Sequence, residues 1–168
     1  MNRTKLILLL VVAVAVARLF PHPFNFTPIG AFALFSGAYI TDRRYILLPL
    51  AALLIGDLLT GFYATIVMIF VYLGFAGAAA IGRLLLSGKR TPLRFVAGVL
   101  GGAIMFYLVS NIGMWWIAYP FDINGLLQCW IDGLPFLLRT MTGDFFYAAV
   151  IFGIVEYYER QRTPGYAS

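Results

Sequence analysis

Charge is what this sequence has least of: 12 basic and 7 acidic side chains among 168 residues, 11% of the chain, where soluble domains carry about 25%. A soluble domain of this length must cover its surface with polar groups, so water is the wrong solvent for most of these residues. Cysteine and histidine are nearly absent too, with Cys129 and His22 standing alone. One cysteine excludes an intramolecular disulfide and any cysteine-cluster metal site. A lone histidine between two prolines adds no ligand set at recognisable spacing, so neither a metal nor a cofactor is expected. Cys129 reads as a small buried or interfacial residue and His22 as a loop surface residue. No Gly-x-Ser-x-Gly elbow, His-Glu-x-x-His pair or phosphate loop is present, and nothing here points to an enzyme.

What is there is apolar. Hydrophobic residues make up 62% of the chain, and at about 20 residues per bilayer crossing, six crossings would take about 120 positions. The expected fold is an all-α membrane protein: residues 1–168 as one integral domain, a six-transmembrane-helix bundle with helices at about 6–20, 26–41, 45–60, 62–86, 95–118 and 143–158. Residues 119–142 are apolar yet hold Asp122, Asp132, Pro135 and Arg139, and read as an outer loop with a short helix. The basic start, short apolar run and Ala-x-Ala pairs at the N-terminus also describe a secretory signal peptide, although a retained first helix fits the runs that follow. The second run, 29–40, is short for a crossing. It either borrows from residues 24–28 or packs inside the bundle. Pro49 falls near the start of the third run, where a kink is expected. The glycines and alanines of the fourth, including Ala76 and Ala80, suit close helix approach.

A net charge of +5 raises nucleic acid as a partner, but the cations punctuate apolar runs and do not share one surface. With the N-terminus inside, Arg3, Lys5, Arg43, Arg44, Arg83, Lys89, Arg90, Arg94, Arg160 and Arg162 fall on one face; only Arg18 and Arg139 fall on the other. That asymmetry places both termini in the cytoplasm, with the bundle among membrane lipids. The outer segments are long and rich in aromatics and proline, so the outer face is the expected ligand side.

Asp57 and Asp144 lie near the outer ends of their helices, with Arg18 and Arg139 the cations at that level. Carboxylates near hydrocarbon are costly unless paired, so one or two Arg–Asp bridges are expected, as structural locks or as groups coupling a ligand to loop movement. Asp144 also fits a first-turn acid favoured by the helix dipole. Asn111 sits inside the fifth run with Trp115 one turn along the same face and Trp116 beside it, which reads as a pocket with aromatic walls and a polar handle, or as an interhelical hydrogen bond beside interfacial anchors. Asn25, Trp130 and Asp144 complete the candidate ligand-binding set. Ala13 and Ala17 place two small residues on one face of the first helix, for internal packing or for docking another membrane protein.

Six helices with both ends inside, Ala13 and Ala17 in the first, and a proline-rich first outer loop running into Asn25-Phe26-Thr27-Pro28-Ile29-Gly30-Ala31 together resemble the substrate-binding S component of energy-coupling factor (ECF) transporters, or a related small six-helix transport protein. The resemblance implies uptake of a vitamin-like micronutrient bound from outside, with a membrane coupling subunit and two ATPase subunits as partners. It implies that Ala13 and Ala17 face the coupling subunit, that residues 21–28 gate the site, and that the outer parts of the last three helices line it. The other readings are a structural or assembly membrane protein with no small ligand, and a small secondary carrier or channel.

Overall fold

The computed structural model describes residues 9, 10, 12–14, 16, 26–39, 48–88 and 91–162. These residues form six helices and no strand. Helix α1, described at residues 9, 10, 12–14 and 16, turns Leu10 and Val14 into the core and leaves Leu9, Val12, Ala13 and Val16 exposed. Ala17, Arg18 and Asn25 lie outside the described residues.

Helix α2 (Ile29–Tyr39) is the centre of the molecule, with all 11 of its residues buried. An apolar surface on every side suits a helix enclosed by others, and its length of about 17 Å is roughly half a hydrocarbon core. The short second run therefore packs inside the bundle, and it starts at Ile29, with residues 26–28 outside the helix. In helix α3 (Leu48–Thr60) Pro49 is the second described residue, so the kink expected at the start of the third run falls at the edge of the described residues. Helix α3 ends at Gly61, whose φ of 98° closes the helix while its N–H donates to the Asp57 carbonyl at 2.9 Å.

Helices α4 (Thr65–Leu86) and α5 (Pro92–Ala118) form an antiparallel hairpin in which Gly98 meets Leu86 and Gly113 meets Val67. The link is closed by Thr91, whose hydroxyl accepts from the Arg94 N–H at 3.3 Å, with Pro92 as the first helical residue. The small residues of α4 do bring helices together. At Gly82 a Cβ would stand 2.2 Å from the Leu34 carbonyl oxygen, and at Gly37 of α2 it would stand 1.9 Å from that of Ala79. The stripe in contact is Gly74, Ala78 and Gly82, all buried, whereas Ala76 is half-buried and Ala80 exposed.

Helix α6 runs unbroken from Ile123 to Arg162, with Pro135 inside it. The segment expected as an outer loop with a short helix (119–142) is thus a tight corner at 119–122 followed by the first half of a 40-residue helix. Asp122 starts it by accepting from the Gly125 N–H at 2.7 Å. Its inward stripe is Gly125, Cys129, Gly133, Thr140, Asp144, Ala148, Ile151 and Val155. That spacing is helical, but the first five members are small or polar, so hydrophobicity alone does not reveal the period. Lower down, Phe152 packs edge-on against Phe35, Tyr39 and Phe95 at 5.5 to 5.6 Å between centroids.

Among the described residues, three helices are long and apolar enough to cross a membrane: Thr65–Leu86, Pro92–Ala118 and Ile123–Glu159. Large apolar side chains also stand exposed around the outside, among them Leu58, Leu59, Leu73, Leu84, Leu108, Leu138 and Ile154.

Candidate functional site

Where the end of α5 meets the start of α6, three side-chain bonds pin the two helices. The Tyr107 hydroxyl donates to the Trp130 carbonyl, the Trp130 indole N–H donates to the Leu108 carbonyl at 3.3 Å, and the Cys129 thiol donates to the Asn111 carbonyl at 3.3 Å. The crossing is close because Gly133 has no side chain; a Cβ there would lie 2.8 Å from Asn111 Oδ1. Asn111 donates its amide to the Tyr107 carbonyl at 2.8 Å and leaves Oδ1 facing Cys129.

Beside this seam opens a cavity of about 340 Å³ between α4, α5 and α6. Its apolar walls are Val67, Val71, Phe106, Met114 and Phe136, and its polar edge is Ser110, Asn111, Tyr119 and Asp132. The Asp132 carboxylate is held on both sides: Tyr119 donates its hydroxyl to Oδ2 at 3.0 Å and Gln128 donates its amide to Oδ1 at 2.8 Å. The hydrogen bond to that carboxylate raises the Tyr119 phenol above its ordinary pKa, so it remains a donor at neutral pH.

Of the residues expected to bind a ligand, Asn111 lines this cavity. Trp115 stacks on Phe121 at 4.4 Å and donates its indole N–H to the Pro120 carbonyl, and Trp116 packs edge-on against the same ring. Both tryptophans build the α5–α6 corner. Trp130 pins the seam, and Asp144 lies elsewhere, against the start of α2. The carboxylate that does line the cavity, Asp132, stood in the sequence only as one of the charges of a segment that reads as a loop, and not as a site candidate. The usable signal was Gln128 and Asp132 four apart, in step with Cys129 and Gly133.

Of the expected arginine bridges, those of Arg18 lie outside the described residues and those of Arg139 do not form. Arg139 is exposed, with its guanidinium 5.8 Å from the centroid of the Phe136 ring, and it pairs with neither Asp57 nor Asp144. Five positions on a helix turn the chain by about 140°, so Arg139 and Asp144 face different ways. Asp144, 3% exposed, instead accepts from the Ala31 N–H at the start of α2, with its carboxylate laid against Gly30. A helix N-terminus supplies the positive end of a dipole and unpaired N–H donors, which is what a buried acid needs. Asp57, 1% exposed, accepts from the Tyr72 hydroxyl at 3.0 Å.

A second opening, about 490 Å³, lies at the opposite end between α5 and α6. It is bordered by Leu86, Pro92, Phe95 and Phe152, with Glu156 and the Thr91 hydroxyl, which caps α5, as its polar groups. The cavity at Asn111 and Asp132 gathers more polar side chains, Ser110, Asn111, Tyr119 and Asp132, and is the better placed to orient a bound molecule.

No curated protein and no solved structure matches the chain. A family model described as a family of unknown function (DUF6580) matches residues 1–165, nearly the whole sequence, and the chain belongs to that family.

Proposed function

We propose that this chain is a six-span membrane protein with both termini in the cytoplasm of a prokaryote, and that it binds a small molecule from the outer face for uptake. The observation that carries this reading is the cavity at the Asn111 end of α5: apolar walls, a few convergent polar groups and room for a small organic molecule. It opens at the end of the bundle opposite Arg83 and Arg94, two members of the basic inner set. The exposed apolar side chains and the three long apolar helices support a lipid environment. Tyr119, the residue after the last of α5, holds the carboxylate of Asp132, which is exposed and so within reach of water.

The architecture is compatible with an S component of an ECF-type transporter, which would act with a coupling subunit and two ATPases; Ala13, exposed on α1, is open to such a partner. Native mass spectrometry of gently purified protein tests the binding step. A retained small molecule that is lost in Asn111→Ala supports the reading. An empty cavity together with one stoichiometric unrelated membrane partner supports an assembly role instead, and transport in liposomes without ATP supports a secondary carrier.

A further inference from the structure

Resting on the small-molecule reading of the Asn111 cavity, we infer that its ligand is an organic cation, an alkyl- or arylammonium group on an apolar body. Among the described residues, Asp132 is the one carboxylate bordering the cavity, and no lysine, arginine or histidine shares the lining. Its two partners, the Tyr119 hydroxyl and the Gln128 amide, are neutral donors. They fix the carboxylate in place and leave its negative charge uncompensated, with about half of its lone-pair sites open.

Arg139 is the cation on the same face of α6, seven residues and about 10 Å further along. It rests over the Phe136 ring and makes no ion pair with Asp132. Phe106, Tyr119 and Phe136 put aromatic rings in the same lining as the carboxylate; one face of Phe106 stacks on Phe75 and one of Phe136 carries Arg139, and aromatic faces near an anion suit ammonium groups. A bare metal ion is a poorer fit, since it asks for several oxygen ligands and this lining offers one carboxylate among apolar walls. An anion meets the carboxylate head-on. The volume of about 340 Å³ suits a compact organic molecule and excludes a peptide or a whole lipid.

The test uses three soluble probes sharing one ring, benzyltrimethylammonium, benzyl alcohol and benzoate, titrated into the purified full chain by calorimetry. The cation should bind at least tenfold more tightly than either of the others, and more weakly as salt rises. Asp132→Asn should cost the cation at least tenfold in affinity and leave benzyl alcohol unchanged. Phe136→Leu, which keeps the carboxylate, should cost the cation several-fold. Equal binding of the neutral or anionic probe, an unaltered Asp132→Asn, or no binding of any probe overturns the inference. If native mass spectrometry nevertheless finds a retained neutral or anionic molecule that Asn111→Ala releases, the binding reading stands and the charge assignment alone falls. If the cavity is also empty, both fall.

Discussion

Gly30 and Asp144 form a pair whose coupling can be worked out in advance. A Cβ at Gly30 would lie 2.2 Å from Asp144 Oδ1 and 2.7 Å from Cγ, more than 1 Å inside ordinary contact. Neither side has room to retreat, because every residue of α2 is buried and Asp144 is held by the Ala31 N–H. Gly30→Ala should therefore cost about 1–3 kcal/mol for overpacking, and about 1 kcal/mol more for the displaced cap. Asp144→Ala should cost about 1–3 kcal/mol, since it leaves a buried N–H without its acceptor. The double variant has lost both the cap and the clash, so it should be no less stable than Asp144→Ala alone. Additivity would put it some 2 kcal/mol lower or more, a coupling well inside the range seen for residues in contact. Cys129 provides the assay: it is the chain's one cysteine and is 2% exposed, so a thiol-reactive fluorophore reports unfolding on heating or in denaturant. An additive double variant, or a Gly30→Ala as harmless as a change at the unobstructed Gly153, would refute the placement of Asp144 on the start of α2.

The same assay checks four further expectations. Gly37→Ala drives a methyl into the Ala79 carbonyl and should cost about 3 kcal/mol or more because backbone must move, whereas Gly153→Ala meets open space and should stabilise α6 by up to about 1 kcal/mol. Tyr72→Phe removes the hydroxyl that donates to buried Asp57 and should cost about 1–3 kcal/mol; an unchanged midpoint would discount that bond. Asp122→Ala takes away the acceptor at the start of α6 and should cost about 0.5–2 kcal/mol, with Asp122→Asn recovering most of it. Asp144→Asn keeps an oxygen for the Ala31 N–H and should be milder than Asp144→Ala.

Much of this fold was legible in the chain because apolar run length and helix-end chemistry act locally. The ends of the fourth and fifth runs came within three residues, where Thr91-Pro92 starts α5 and small residues in α4 allow Gly82 to touch the Leu34 carbonyl. Residues 119–142 were misread because their inward face is built from Gly125, Cys129, Gly133 and Thr140, which carry no hydrophobic signal, and because Pro135 looks like a stop. A proline inside a helix costs one hydrogen bond, and the α5 hairpin partner holds α6 through side-chain bonds at Tyr107 and Trp130. The site was half legible for the same reason: Asn111 was found from its own helix, while Asp132 becomes visible only once α6 is known to be helical. The tryptophans were over-read. Their bulk marked a real aromatic cluster, but Phe121 and Pro120 claim it for the corner.

The expected arginine bridges rested on the rule that a carboxylate in an apolar setting needs a cation, and the described acids show a cheaper solution. Burying a guanidinium beside a carboxylate desolvates two charges, whereas a helix N-terminus brings N–H donors already stripped of water by folding. Asp122 sits at the start of α6 and Asp144 at the start of α2, so both are opposed by a partial positive charge that the backbone provides. Asp132 differs. It lies ten residues into α6, away from any helix start, and its donors are a phenol and an amide that bring hydrogen bonds without net charge. Its negative charge is thus the one among these three that no element of the fold opposes, and it is the one that borders the cavity. Exposed at the cavity edge, that charge is solvated in the empty protein, and a cation arriving from outside supplies the opposite charge that these elements do not. Asp132→Asn should accordingly leave the unfolding midpoint of the empty protein nearly unchanged while weakening the ammonium probe.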